Sequence, residues 1–383
     1  MLAPVNEAEL SEAIADANGP LNVRGGGTRP VGNPVDGAIL SVAGISGITL
    51  YEPGALTLVA KAGTPVAEIE TALETEGQML PFEPMDHRDL LGTKGEPTIG
   101  GVVASNVSGP RRLQVGACRD FLLGVRFVDG RGDVVKSGGR VMKNVTGYDL
   151  VKLMAGSRGT LGVLTEVSLK VLPKPEATST LMVHGLSVEN AVQAMSAALS
   201  SPYDVSGAAH AMTDTDGIAA TMIRLEGFAD SVAYRSDKIR ALLSEHFDAS
   251  IDIRKGSNAK SLGWESLRDA EAFARFDGDV WRFSVKPGDA PGVEGAIVVA
   301  TGDPDRCLFQ LDWGGGLIWV GCPPGTNLRP HAGKGHATLI RASDESKVRL
   351  GVFHPEAPPL AALAMGLRQQ FDPRAILNPG LIG

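Results

Sequence analysis

The sequence predicts an α+β protein in which a glycine-rich amino-terminal domain is followed by a ferredoxin-like domain. Three observations carry this expectation. Strand-like and helix-like segments alternate as far as residue 172, the order from residue 180 is strand, helix, strand, strand, helix, strand, and 26 of the 48 glycines fall before residue 163. Glycine at 48 of 383 residues is well above the usual ~7%, so the first part is rich in tight turns. A chain of 383 residues accommodates two or three domains, each able to bury its own core.

The elements follow in order. Leu56 to Lys61 reads as a strand; Thr64 as N-cap and Pro65 at the first helical position then open a helix with Val66, Ile69 and Leu73 on one face, ending before Gly77. Phe121 to Val128 and Asp133 to Lys136 form two strands of a hairpin around Asp129-Gly130-Arg131-Gly132. Val163, Val167, Leu169 and Val171 alternate with period two until Pro173, and Pro173-Lys174-Pro175 marks a domain boundary.

Beyond it come a strand (Thr180 to His184), a helix (Val188 to Leu199), strands Val205 to Met212 and Ala220 to Leu225, a helix (Ile239 to His246) and a strand (Ser250 to Arg254), the βαββαβ order of a ferredoxin-like unit. A weaker topological echo runs through Val280 to Val285, the pair Cys307 to Asp312 and Leu317 to Val320 around Trp313-Gly314-Gly315-Gly316, and Lys347 to Val352. A last helix carries Leu363 and Leu367.

Composition excludes several function classes. The 36 Lys+Arg against 44 Asp+Glu give a net charge of −8, and no long basic cluster supplies the footprint of a nucleic-acid binder. No apolar run approaches the ~18 residues of a membrane span. The start lacks the cationic and apolar regions of a signal peptide, so the expected location is cytoplasmic, with attachment at the inner membrane only peripheral and through partners. Cys118, Cys307 and Cys322 are odd in number and never C-x-x-C, which argues against a disulfide framework, a zinc site or an iron–sulfur cluster in this chain.

Three glycine constellations carry the chemistry. Arg24-Gly25-Gly26-Gly27-Thr28 follows a short strand, and successive glycines can turn several backbone N–H groups toward one anion. In Pro97 to Gly109, Thr98 caps a helix whose first turn holds Gly100 and Gly101, which would bring backbone amides close to a second phosphate. In Lys143 to Val167, a short helix capped by Asp149 leads into the turn Gly156-Ser157-Arg158-Gly159-Thr160-Leu161-Gly162 and then a strand. A flexible surface loop is the competing reading of each alone. None is G-x-G-x-x-G after a strand or G-x-x-x-x-G-K-[ST], so the Rossmann and P-loop mechanisms do not apply.

These segments, in this order, resemble the FAD-binding domain of the vanillyl-alcohol-oxidase-like (PCMH-type) flavoproteins, and Phe371-Asp372-Pro373-Arg374-Ala375-Ile376-Leu377-Asn378-Pro379-Gly380 resembles that superfamily's closing motif. Leu80 to Pro84 and Leu311 to Gly315 look like the FAD-binding E subunits of glycolate oxidase. The resemblance implies an FAD domain of two α/β subdomains over residues 1–172, a ferredoxin-like cap over 173–345, and a segment 346–383 returning to the flavin. It implies that Gly25, Gly26, Gly27 and Thr28 hold the FAD pyrophosphate with Arg24 buttressing the loop, and that Thr98, Gly100, Gly101, Ala104 and Asn106 line the opposite wall. Gly159, Thr160, Gly162 and Val163 would approach the adenine or ribityl side, Gly147, Tyr148 and Asp149 the isoalloxazine, and Asn378 the flavin ring.

The implied activity is oxidation of glycolate or a similar small 2-hydroxy acid. This chain would work with a sister FAD-dependent catalytic subunit and an iron–sulfur subunit. The alternatives are a self-sufficient dehydrogenase or oxidase, which would need His331, His336 or His354 to converge on the flavin, and a structural flavoprotein. After the first glycine loop, Thr28 to Asn33 contains no histidine for a covalent flavin link, so non-covalent FAD is expected. The seven histidines are scattered, which leaves no metal cluster and no catalytic base in view, and Arg158 stands where relatives commonly carry Glu. Arg29, Arg111 and Arg112 are the cations in reach for a carboxylate, with solvated surface arginines as the competing reading.

Overall fold

The structure, a computed structural model, describes residues 1–140, 147–211, 218–256 and 263–382. It divides into two compact units: Met1–Ser108, Ala117–Lys174 and Pro355–Gly383 form the first, and Gly109–Gly116 with Pro175–His354 the second. The sequence sets boundaries after residues 172 and 345. The chain's own division falls after 174 and 354 and gives Gly109–Gly116 to the second unit.

In the first unit, β1 (Leu21–Arg24) and β2 (Ala38–Ser41) pair in parallel. Helix Glu7–Ala15 buries Leu10 and Ile14 in a core with Leu21, Leu40, Val128 and Val163. The later strands are β3 (Ile48–Glu52), β4 (Thr57–Lys61), β5 (Gln78–Met79), β6 (Leu122–Val128), β7 (Val134–Gly138), β8 (Val163–Lys170) and β9 (Leu172–Pro173). Among the described residues, β3-β4-β8-β6-β7 make an antiparallel sheet, and β5 pairs with β9. The hairpin expected around Asp129 to Gly132 is β6 and β7.

Two local expectations change. β8 is central, and Leu164, Thr165 and Ser168 are buried as well as the alternating set, because a strand covered on both faces loses its period-two contrast. The helix after β4 starts at Val66 with Pro65 in the cap place. Thr64 does not cap it: its hydroxyl donates to the Lys61 carbonyl (2.7 Å) and accepts from the Gly47 amide (2.9 Å), which fixes the turn leaving β4.

The second unit contains β10 (Ala177–His184), β11 (Val205–Ala211), β12 (Ala220–Gly227), β13 (Ile251–Gly256), β14 (Asp279–Ser284), β15 (Leu308–Asp312), β16 (Leu317–Cys322) and β17 (His336–Arg341). The described strands form one antiparallel sheet, β13-β10-β12-β11-β15-β16-β14-β17. The first half has the ferredoxin-like order 4-1-3-2, with helices Val188–Leu199 and Ala229–His246 as its crossovers. The second half repeats that order in mirror placement, with helix Ala290–Thr301 as one crossover and the short turn Arg329–Ala332 in place of the other. The halves meet at β11 and β15, where His210 faces Leu311. The helices bury Leu181, Ile223, Trp281, Phe283 and Ile318 on one face of the sheet. Trp264 and Leu267 cover part of the other.

The topological echo therefore exists, but its fourth strand is β17. Lys347 to Val352 falls largely in helix Asp344–Leu350, which Ser343 caps by accepting from the Ser346 amide, with Asp344 and Glu345 in the first turn. Cap and charge outweigh a short apolar pattern. Met212, the expected end of the strand beginning at Val205, lies outside the described residues.

The closing segment begins with helix Pro358–Phe371, none of whose residues is buried; Leu360, Leu363, Met365 and Leu367 are exposed. The chain is then fastened to the first unit. Phe371 packs on Phe127 (centroids 6.0 Å apart), and the buried Asp372 carboxylate accepts from the Leu377 amide (2.7 Å). Arg374 donates to the carbonyls of Gly130 (3.1 Å), Ala15 (2.9 Å) and Ile14, capping the end of helix Glu7–Ala15. Arg374→Ala should therefore destabilise the first unit by about 1–3 kcal/mol, since it strands several carbonyls at a negative helix end. Arg374→Lys should recover only part, as an ammonium cannot span three acceptors; denaturant unfolding of both variants measures the difference.

Candidate functional site

The first unit brings together chain segments far apart in sequence. β1 ends at Arg24, and the loop from Gly25 to Thr28 lies backbone to backbone on Gly95-Glu96. A Cβ at Gly26 would collide with the Glu96 carbonyl, one at Gly95 with the Gly26 carbonyl, and one at Gly25 with the Thr98 hydroxyl. Gly26 and Gly25 are glycine for close approach; Gly27 is glycine for conformation, with φ +70° and open space where a side chain would go. The Thr28 carbonyl accepts from the Thr93 hydroxyl (2.9 Å). Among the described residues, the amides of Gly25, Gly26, Gly27 and Thr28 donate no hydrogen bond.

The wall opposite is built differently from the sequence expectation. Thr98 caps helix Ile99–Ala104 and accepts from the Gly101 amide (3.4 Å), as read from the sequence. The Ile99 amide, however, donates to Thr64 (3.0 Å) and the Gly100 amide to Ala62 (2.8 Å). These two amides hold the helix start on the loop after β4, and a Cβ at Gly100 would collide with Ala62. Their backbone serves packing. Asn106, at φ +50°, accepts from the Arg119 amide through its side chain (3.0 Å).

The turn from Gly156 docks on the end of that helix. The Gly156 amide donates to Val103 (3.1 Å) and the Arg158 amide to Ala104 (2.7 Å). Thr160 is buried and closes the turn on the Ser157 carbonyl (2.7 Å), and Gly159 has φ +71°. Asn378 ties this turn to β1: its Oδ1 accepts from the Val23 amide (2.7 Å) and its Nδ2 donates to the Arg158 carbonyl (2.9 Å). The side-chain amide expected at a flavin ring instead clamps two backbone segments of the cradle.

Other residues named from the sequence do not line this cradle. Arg24 is exposed and bonds Asn22 (3.1 Å) rather than buttressing the loop. Val163 belongs to the core with Leu10 and Leu21, and Gly162 is glycine because a Cβ would strike the Phe127 ring. Gly147 and Tyr148 are exposed, and Asp149 caps the next helix by accepting from the Lys152 amide (3.1 Å). Residues 143–146, the start of the third glycine segment, lie outside the described residues.

The second unit holds a polar cluster. Arg224 is fully buried, its guanidinium 4.6 Å from the Trp264 centroid, and the Glu226 carboxylate lies 3.3 Å from its Nε and 3.6 Å from that of Arg111. Arg111 is therefore an interior residue of an ion-pair network, not a solvated one. Trp313, at φ +54°, donates through its indole to the Gly109 carbonyl (3.0 Å), and the guanidinium groups of Arg112 and Arg282 lie 4.7 and 5.1 Å from its ring. Sequence reasoning missed Arg282, since its partners come from other strands.

The histidines separate by role. His87 is buried with Nδ1 3.2 Å from the Met85 carbonyl, and His184 pairs with Asp252 (3.2 Å). His354 accepts from the Ala337 amide (3.4 Å), and His336 is held below the usual histidine range by desolvation, then by the Arg282 and His354 charges. His336, His354 and Arg282 thus form one group; among the described residues no three potential ligands gather for a metal ion. His210 is fully buried with Nδ1 2.9 Å from the Thr221 hydroxyl, and burial pushes its pKa down to about 4.

Residues 1–138 match a protein-family profile described as an FAD binding domain. The fold is similar to alkyldihydroxyacetonephosphate synthase, with TM-score 0.70 and 16% identity over 98% of this chain and 75% of that one. The chain is 32% identical over 202 residues to glycolate oxidase subunit GlcD of Bacillus subtilis (strain 168), covering 51% of this chain and 42% of that protein. It is 37% identical over 378 residues to glycolate oxidase subunit GlcE of Escherichia coli (strain K12), covering 97% of this chain and 95% of that protein. The chain belongs to the GlcE family.

This family member is an FAD-dependent oxidoreductase subunit. The cradle fits FAD on its own geometry: four consecutive amides, Gly25 to Thr28, are left to a ligand, and Gly27 keeps the space beside them open. Gly27→Val should fold, at a cost of ~1–2 kcal/mol for a left-handed valine, yet lose FAD, because its branched side chain enters that space. The flavin-to-protein absorbance ratio of the purified variant checks this; full flavin content would make the loop a surface turn.

His210 also predicts an acid sensitivity. Its folded pKa is depressed, so the folded state binds fewer protons than the unfolded one between about pH 6.5 and 4. Its contribution is complete above pH 6.5 and is lost as pH falls toward 4, about 3 kcal/mol in all. His210→Gln should flatten the fall in Tm between pH 6.5 and 4.5 relative to the wild type.

Proposed function

We propose that this chain is the FAD-holding E-type subunit of a complex that oxidises glycolate or a similar small 2-hydroxy acid to the 2-oxo acid. The observation that carries this reading is the likeness to a glycolate oxidase subunit over nearly the whole chain. Gly25 to Thr28 hold the dinucleotide's diphosphate, Asn378 fixes the spacing of the loop and the turn after Gly156, and the FAD is non-covalent. When bound, FAD supplies a two-electron acceptor. Arg112 and Arg282, gathered on Trp313, supply positive charge suited to a substrate carboxylate.

Removal of the α-hydroxyl proton needs a positioned base, worth typically 10²–10⁴-fold in rate. His210 is sealed in the sheet, and His87 and His184 have partners of their own. His336 stands beside the Arg282 cation, which disfavours a second positive charge on its ring, and His354 accepts from the Ala337 amide. We assign the base to a GlcD-like sister flavin subunit and the onward electron transfer to an iron–sulfur subunit. The exposed apolar residues Leu360, Leu363 and Leu367, one side of a helix with no fully buried residue, support membership in an assembly.

The test is anaerobic mixing of the purified, FAD-loaded chain with glycolate while following flavin absorbance. The chain alone should bleach slowly or not at all, and reduction should appear once the partner subunits are added. Rapid, complete bleaching of the isolated chain would favour a self-sufficient dehydrogenase, in which His336 and His354 would be the first bases to replace.

A further inference from the structure

Cys307 and Cys322 lie at the open end of the hairpin made by β15 and β16, and the strand register sets them side by side. Leu311 pairs with Ile318 and Phe309 with Val320, and all four belong to the core on the helix-covered face of the sheet. One further step of two residues places Cys307 opposite Cys322 on that same face: Cys322 is part of the core and Cys307 packs against it. The ladder ends at Leu308 with Gly321. Cys307 is still extended (φ −116°, ψ 141°), and its amide turns to the Pro304 carbonyl (3.0 Å) instead of crossing to β16. Directly opposed residues of an antiparallel pair have Cα atoms about 4.5–5.5 Å apart. Disulfides span roughly 4.4–6.8 Å between the same atoms, and both residues are free thiols in this structure.

The two thiols differ in access. Cys307 is half-buried, and its sulfur lies 3.1 Å from the Thr301 hydroxyl. That hydroxyl donates to the Ile297 (3.0 Å) and Val298 (3.1 Å) carbonyls, which leaves its oxygen to accept the thiol proton. Cys322 is fully buried; burial, then the charge of Asp279, its partner on β14, pushes its pKa up to about 12. An oxidant therefore reaches Cys307 first, and Cys322 is the neighbour placed to complete the bond.

We propose that Cys307 and Cys322 are a peroxide-oxidisable pair that closes a reversible cross-strand disulfide. The Cys307 sulfur attacks one peroxide oxygen; the S–O bond forms, the O–O bond breaks, and the released hydroxide takes the thiol proton and leaves as water. The Cys322 sulfur then attacks the sulfur of the Cys307 sulfenic acid; the S–S bond forms, the S–O bond breaks, and a second water carries away the Cys322 proton. Two thiols are oxidised, and one peroxide is reduced by two electrons. The bond closes a loop of about 15 residues and ties the base of the hairpin whose tip holds Trp313, with Arg112 and Arg282 against its ring. None of the flavin or substrate contacts takes part, so this chemistry stands or falls apart from the glycolate reading.

The FAD-loaded full chain would be treated with hydrogen peroxide, quenched with catalase, alkylated and digested without reductant for peptide mass spectrometry, alongside Cys307→Ser and Cys322→Ser. The wild type should give a peptide linking Cys307 to Cys322, with the chain lighter by two hydrogen atoms, and dithiothreitol should restore both thiols. Cys118, fully buried in the first unit, should stay a thiol. Cys322→Ser should accumulate a Cys307 sulfenic acid that dimedone traps, whereas Cys307→Ser should keep Cys322 reduced. Flavin content and Tm report whether the variants fold; should Cys322→Ser not fold, the wild type and Cys307→Ser decide the question. Oxidation of wild-type Cys307 to sulfinic acid with no linked peptide would overturn the proposal, as would a chain-to-chain disulfide or a link to Cys118 as the main product. So would two unreacted thiols in a sample where added glutathione is oxidised.

Discussion

The first unit depends on the side-chain amide of Asn378. One oxygen and one nitrogen join the Val23 amide at the end of β1 to the Arg158 carbonyl, bringing together three segments from the start, middle and end of the sequence. The tail reaches this position by adding to β1: the Leu21 amide donates to Ile376 and the Asn378 amide to the Leu21 carbonyl. A buried amide that makes both of its bonds is a strong geometric constraint, because any displacement leaves a donor or acceptor unsatisfied. The glycine loop begins one residue beyond β1, so its position follows from the clamp.

The loop after β1 shows that glycine recurs within one segment for unlike reasons. Gly26 and Gly95 bring two backbones closer than any Cβ permits, whereas Gly27 provides a left-handed turn and leaves volume free. Packing glycines set the wall and the conformational glycine opens it. Gly100 and Gly162 are of the packing kind, meeting Ala62 and Phe127. They shape the unit from behind the cradle.

The second unit solves a different problem. Its described sheet is long, and helices cover one face while Trp264, Arg224, Glu226 and Gln310 occupy the other. Charged residues there are retained in pairs or against aromatic rings, as Arg224 is on Trp264 and Arg112 and Arg282 are on Trp313. Such a face supplies positioned charge where an all-apolar one could only pack. The edge-to-edge join of two ferredoxin-like halves at β11 and β15 gives that face its width.

Local rules made the strands, most helices and the ferredoxin-like order legible: period-two alternation, the caps Thr98 and Asp149, and turn glycines depend only on neighbours in sequence. They failed where two local signals competed. Thr64 was drawn from capping to the Lys61 turn, and Lys347 to Val352 became helix under the Ser343 cap. The sequence by itself determined the likeness to FAD-binding flavoproteins, through its glycine-rich segments, and that no C-x-x-C lies in this chain. Which glycine amides are open, whether Arg111 is solvated, and that Asn378 clamps Val23 to Arg158 were decided only by the tertiary structure. The reason is that a hydrogen bond or ion pair is assigned by distance in space, and the partners here, Ala62 to Gly100, Glu226 to Arg111 and Asn378 to Arg158, lie tens to hundreds of residues apart.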